Sequence, residues 1–254
     1  MLTRLLSLSK DSFRWLIAEL VVVVLGILIA FQIEAWWEER SLRHEERTVL
    51  ALLHEDLQTD LANLDRSLEH RSTILAGINE FARYISREEN RTAKGIADRW
   101  RAVTRIKAYY PASNAYQGLK NNGRLHIISD QTLSGRLLDY YDVQQTLVLG
   151  MQNVGNGSWR KLRDHAKPDI YFASSAFRSP RVEVFTVTVE DDPSNVLNLA
   201  IRLPVEEIPS NSLLLPEIGD YSSIQSGLIS AGEKLRADNL HLQTLIDEHL
   251  QALD

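Results

Sequence analysis

His44-Glu45-Glu46-Arg47-Thr48 begins like the helix of a zinc metalloprotease, in which two histidines one turn apart hold the metal and a glutamate between them acts as base. Thr48 stands where the second histidine is required, so that chemistry is excluded here. His54, Glu55, Asp56 and Asp60 are close enough on one helix to contribute to a cation site. No other segment offers matching ligands, and a solvated acidic face is the better reading. His241 and His249, eight residues apart, can share a helix face; without an accompanying carboxylate pattern they read as surface histidines.

Gly155-Asn156-Gly157-Ser158 lacks the lysine and the preceding strand that a phosphate-cradling loop needs, and reads as a flexible interruption. No nucleophile elbow and no dinucleotide-binding glycine pattern occurs. Tyr109, Tyr110, Tyr116, Tyr140 and Tyr141 can line a groove between helices, but packed aromatics of a bundle are the preferred reading because such rings bury so much apolar area. The absence of cysteine excludes thiolate metal sites, disulfides and a cysteine nucleophile. The sequence therefore predicts no catalytic residue, no metal site, no cofactor and no enzyme activity.

Glu19 is the most informative ionisable residue because of what surrounds it. From Leu20 to Ile33 the chain is uncharged, and extension back to Trp15 gives about 19 residues, near the length that crosses a bilayer. A carboxylate at such depth either seeks a partner or snorkels to the edge. Glu19, Gly26 and Ala30 can share one helix face, where small residues permit close packing against another helix. Trp15 at one edge and Trp36 and Trp37 at the other are candidate interfacial anchors. No small-residue cleavage pattern follows the apolar run, which favours an uncleaved anchor.

The elements that would carry these residues divide the chain into a basic amphipathic tail over 1–14, a transmembrane helix over 15–33 and an extramembrane domain over 34–254. The charge agrees with that division. Through Ile33 there are 3 Lys and Arg against 2 Asp and Glu, leaving 25 against 32 beyond it. An acidic body argues against nucleic-acid binding.

Beyond the apolar run, Leu50, Leu57, Leu64, Ile78 and Ile85 keep a seven-residue register interrupted by Arg71, and Leu61, Leu68, Leu75 and Ala82 keep a second. Two adjacent rows make a wide stripe, which predicts a helical bundle. No proline interrupts Glu34 to Ile85, so one long helix can leave the bilayer directly. SREENRTAKG, ending at Gly95, reads as a polar turn before a helix from Ile96 to about Ala108. A short helix over Asn114–Asn121 follows, with Ser113 as N-cap and Gly123 as stop, and then a helix capped by Ser129. The β-branched residues near 181–203 predict a small hairpin, Pro204, Pro209 and Pro216 an irregular connection, and the last helix runs from about Tyr221 to Ala252. The fold class is mainly α.

Two stretches resemble a family of bacterial proteins known as domain of unknown function 6090. One is Ala18-Glu19-Leu20 through Gly26-Ile27-Leu28-Ile29-Ala30-Phe31-Gln32-Ile33, followed by Trp36 and Glu38. The other is Tyr116-Gln117-Gly118-Leu119-Lys120-Asn121-Asn122-Gly123, then Ile127, Ile128, Asp130, Leu133, Leu137 and the Tyr140-Tyr141 pair. The resemblance implies an uncharacterised single-pass membrane protein and supplies no activity. It departs from the family pattern at Ala18, Glu34, Ala35 and Trp37.

Together these features lead to an expected interaction, sensor-like or scaffold module in the bacterial inner membrane, with the N-terminus cytoplasmic and the body periplasmic. Its expected partners are the lipid bilayer, a second copy through the transmembrane helix, and an envelope protein. An accessory subunit that uses Glu19, and an envelope enzyme with an unrecognised site, are the alternatives.

Overall fold

The computed structural model describes residues 10–86, 91–103, 108–174, 176–189, 192–210 and 213–253. Most of the expected basic tail, with Arg4 and its leucines, lies outside them, as do residues 87–90 of the polar turn and 104–107 after the second helix. The fold is mainly α. In chain order it comprises α1 (Lys10–Ile85), α2 (Ala93–Val103), α3 (Asn114–Asn121), α4 (Gln131–Gly150), α5 (Asn156–Ala166), β1 (Ile170–Phe172), β2 (Val182–Val189), β3 (Asp192–Arg202) and α6 (Leu214–Ala252).

The helix α1 is 76 residues long, about 114 Å at 1.5 Å per residue. It holds no proline and only Gly26 and Gly77 as weak points. Its N-terminal part contains an 18-residue window of mean hydropathy 2.3, none of it buried, which by length and composition is apolar enough to cross a membrane. Every side chain described from Trp15 to His44 is exposed. From Glu46 onward a different pattern takes over.

The buried positions of α1 are 46, 50, 53, 57, 60, 64, 67, 71, 74, 78, 81 and 85, steps of four and three in strict alternation, with Leu68 and Gly77 buried beside them. One of the two rows is the expected Leu50, Leu57, Leu64, Arg71, Ile78, Ile85. The other is Glu46, Leu53, Asp60, Ser67, Ile74, Phe81. The expected second row is a flank, since Leu61, Leu75 and Ala82 are only half-buried. Half of the true row is polar, so hydrophobicity alone selects its neighbour.

The helix α6 runs antiparallel to α1 and buries Leu214, Ile218, Tyr221, Gln225, Gly232, Leu235, Asn239, Leu242 and Ile246 with the same spacing. At Gly232 the two helices approach so closely that a Cβ would lie 2.6 Å from Leu68 Cδ2. The remaining helices pack around this pair, with α2 and α3 on α1, and α4 and α5 on α6. Two apolar cores result. One surrounds Leu50–Leu68 with α3, α4 and the end of α6; the other surrounds Ile74–Ile85 with α2, α5, the sheet and the start of α6.

Several local boundaries differ from expectation for identifiable reasons. The helix α2 starts at Ala93, not Ile96, because Thr92 Oγ1 accepts from the Gly95 N–H at 3.0 Å and caps it. The N-cap of α4 is Asp130, not Ser129: its carboxylate accepts from the Thr132 and Leu133 N–H groups at 2.7 and 3.1 Å. Ser113 precedes α3 without a side-chain cap; Asp56 of α1 takes over, accepting from the Ala115 N–H at 2.6 Å. Gly123 does end that segment, in the left-handed region at φ 64°. The expected interruption at Gly155 is a π-helical turn, Met151–Gly155, between α4 and α5. The helix α6 begins at Leu214, not Tyr221, since Pro216 falls in a first turn whose N–H groups have no intrahelical acceptor.

The hairpin exists as β2 and β3, paired from Val182↔Arg202 to Val189↔Asp192. A third strand, β1, adds to the far side of β3, giving an antiparallel sheet in the order β1-β3-β2. Three residues are too few for a periodicity signal. Arg202 of β3 binds Asp169, just before β1, at 2.6 Å, and that bond raises the guanidinium's proton affinity.

Candidate functional site

Asp60 carries the densest polar arrangement in the body. Burying a carboxylate requires a full set of donors, and the fold delivers them from two other segments, the stretch before α3 and the helix α4. Oδ1 accepts from the Tyr109 hydroxyl at 2.7 Å and the Ala112 N–H at 3.0 Å. Oδ2 accepts from Gln144 Nε2 at 2.7 Å and, through a short hydrogen bond, from the Tyr140 hydroxyl. Asn239 of α6 closes the network by donating through Nδ2 to the Tyr140 hydroxyl at 2.7 Å and to the Leu57 carbonyl at 3.1 Å. Burial, then the Asp60 charge, pushes the Tyr109 and Tyr140 phenols far above their ordinary range. They are donors held in the protonated form, unsuited to act as bases. Tyr116 stacks on Tyr141 with centroids 4.0 Å apart, and Tyr140 meets Tyr141 edge-on at 5.1 Å. Four of the five expected tyrosines are thus packed; Tyr110 is exposed and offers its carbonyl to Asn63.

The expected solvated acidic face is therefore corrected. Asp60 is fully buried, Asp56 is half-buried at the start of α3, and burial raises the Asp56 pKa. His54 turns away to Asp247 at 3.4 Å. Among the described residues no three His, Asp or Glu side chains converge as a metal would require.

A second polar arrangement sits 14 residues earlier on α1, about 21 Å away along the axis. Glu46, 3% exposed, accepts from the Ser129 N–H at 2.6 Å and the Ser129 hydroxyl at 2.8 Å, and lies 3.0 Å from His249 Nε2. His249 is thus no free surface histidine; its partner on the sequentially distant α1 hid the relation. Serine, histidine and glutamate together suggest acyl-transfer chemistry, but the geometry differs. In a relay the serine and the acid occupy opposite ring nitrogens, whereas here both face Nε2, with the Ser129 hydroxyl 3.5 Å away and bonded to the carboxylate. This arrangement ties α1, α4 and α6 together. His241 remains exposed on a groove of about 280 Å³ lined also by Arg136, Tyr140, Lys234 and Asp238.

A third polar level lies 11 residues beyond Asp60, where Arg71 Nη1 donates to Gln225 Oε1 at 2.9 Å. These three levels were missed as sites because their members, Glu46, Ser129, Gln144, Asn239 and Arg71, are far apart in sequence. The available signal was the polar residue at an otherwise leucine position.

Glu19, Gly26 and Ala30 are exposed on the apolar part of α1, and nothing lies within 4 Å of a Cβ built on Gly26. Trp15, Trp36 and Trp37 are exposed too, with Arg40 over the Trp36 ring at 5.5 Å.

Fold and polar levels define a helical-bundle protein built on one very long helix with an exposed apolar head. No curated protein and no solved structure matches it. The chain belongs to DUF6090, a family of unknown function, which matches residues 19–146 and so includes α1 from Glu19, α2, α3 and most of α4.

Proposed function

We propose that this chain is a single-pass, membrane-anchored interaction module of the bacterial inner membrane, with its helical body in the periplasm. The observation that carries this is the continuity of α1: one unbroken helix is an exposed apolar rod at one end and the central strut of the body at the other. Arg4, Lys10 and Arg14 against Asp11 give the stretch before the apolar segment a positive balance, which supports a cytoplasmic N-terminus. The body's polar levels bind helices to one another, which suits a module that holds a shape for a partner. Self-association has a ready surface in the Glu19, Gly26 and Ala30 face.

The test is extraction and cross-linking of the full chain in native membranes. Resistance to alkaline carbonate, together with a cross-linked homo-oligomer or a reproducible hetero-complex, is the expected result. Release by carbonate, or monomer alone with no partner, overturns the reading. A reporter fused after Asp254 should be active only in the periplasm.

A further inference from the structure

The level at Arg71 differs from the other two in its charge balance. Glu46 and Asp60 are buried anions surrounded by donors, but Arg71 is a buried cation with a single neutral acceptor. It is 4% exposed, its Nη1 donates to Gln225, and its Nε is buried without a partner. Among the described residues no carboxylate reaches ion-pair distance. Beside it, the hydroxyl of the fully buried Tyr221, one turn from Gln225 on α6, lies near the Gln225 amide but does not meet hydrogen-bond geometry with it. Ser67 Oγ, one turn away on α1, is a third buried polar atom without a hydrogen-bond partner.

A buried guanidinium does not shed its proton to escape this cost, because its intrinsic basicity is too high. Burial lowers the Arg71 pKa, and the one neighbour that acts in the other direction is Tyr221, whose own phenol burial holds protonated. Water can satisfy an N–H but leaves the charge uncompensated. The surrounding backbone is unusual as well. The π-helical turn brings Gly155 so near that a Cβ there would sit 4.0 Å from Arg71 Nη1, and such turns recur where main chain is shaped around a function. The level lies between the two apolar cores, with Leu64 and Leu68 on one side and Ile74 and Ile78 on the other, so anything lodged there is small.

We propose that Arg71, with Tyr221, Gln225 and the neighbouring π-helical turn, forms a binding site for a small monovalent anion, of halide or short-chain carboxylate size. The anion accepts hydrogen bonds from the guanidinium and the Tyr221 hydroxyl, and it supplies the charge that the surrounding side chains lack. This goes beyond the anchoring role and does not depend on it.

The test is thermal unfolding of the full chain in detergent, with chloride, formate or acetate replacing gluconate at constant ionic strength. A rise in Tm that sets in near the dissociation constant is expected for at least one small anion, growing by about 3–5 °C per tenfold increase above it. Arg71→Met should abolish the dependence. Tyr221→Phe, which removes the hydroxyl alone, should move the onset of the rise to at least threefold higher anion concentration, and it decides the matter if Arg71→Met does not fold. Identical Tm in all salts, which means a hydrated level, overturns the proposal. So does an unchanged dependence in Arg71→Met or, if that variant does not fold, in Tyr221→Phe.

Discussion

Replacing Asp60 with leucine separates the two things the buried carboxylate does, filling a core position and receiving four hydrogen bonds. Leucine restores the apolar row on α1 and returns about 1.5–3 kcal/mol through burial. It also leaves the Tyr109 and Tyr140 hydroxyls, Gln144 Nε2 and the Ala112 N–H without their acceptor. Each buried donor left unsatisfied costs about 2 kcal/mol, so four cost about 8 and the net loss should be roughly 5–6 kcal/mol, or about 10–25 °C in Tm for a domain of this size. Adding Tyr109→Phe, Tyr140→Phe and Gln144→Leu removes three of the four donors. Asn239 still has the Leu57 carbonyl. The quadruple variant should therefore recover to within about 2 kcal/mol of the wild type, because an apolar level of matched shape is nearly neutral. Urea unfolding followed by far-UV circular dichroism in detergent measures both. A Asp60→Leu loss below about 1 kcal/mol, or losses that simply add across the four substitutions, would refute the reasoning.

Alkaline titration followed at 295 nm should show Tyr109, Tyr140 and Tyr141 ionising only as the protein unfolds, with Tyr221 displaced upward to about 12. The folded state disfavours these phenolates, so the stability they contribute is complete below the ordinary tyrosine pKa of about 10. It is lost as pH rises above that value; an alkaline limb no steeper than in a Tyr109→Phe/Tyr140→Phe/Tyr141→Phe variant would contradict this. Asp130→Ala should cost about 1 kcal/mol by uncapping α4. The two N–H groups hold the Asp130 carboxyl below its usual pKa, so its contribution is present near neutrality and fades as pH falls through the acid range; equal acid limbs in variant and wild type would count against it. Gly232→Val should cost about 2–3 kcal/mol in urea unfolding, since the contact with Leu68 is already closed.

The continuous α1, the extent of the exposed apolar head, α3 and the hairpin were legible because each rests on a local signal: an apolar run, a glycine stop, a β-branched stretch. The polar levels were not. Asp60 looks like one acid among four on a helix face, and only Tyr109, Tyr140 and Gln144, 49 to 84 residues away, show that it is enclosed. Arg71 was visible as a fault in a leucine row, but sequence spacing does not say whether a fault faces solvent or core. Ser129 looks like a helix cap because serine caps are common; its selection by Glu46 instead depends on a contact spanning 83 residues.

The unequal spacing of the polar levels gives α1 the properties of a keyed shaft. Leucine rows alone repeat every seven residues, so α1 and α6 could pair nearly as well after sliding by one heptad. A slide that advances α1 by seven residues puts Leu53, Ser67 and Ile78 where Glu46, Asp60 and Arg71 now stand. His249 would then face leucine, the tyrosine hydroxyls a serine, and Gln225 an isoleucine. The opposite slide brings Glu39, Leu53 and Leu64 to those places and also leaves two of the three levels apolar. The buried charges therefore act against misassembly: a nascent pair that closes out of step finds donors without acceptors and reopens, and only one axial setting lets every key enter its slot.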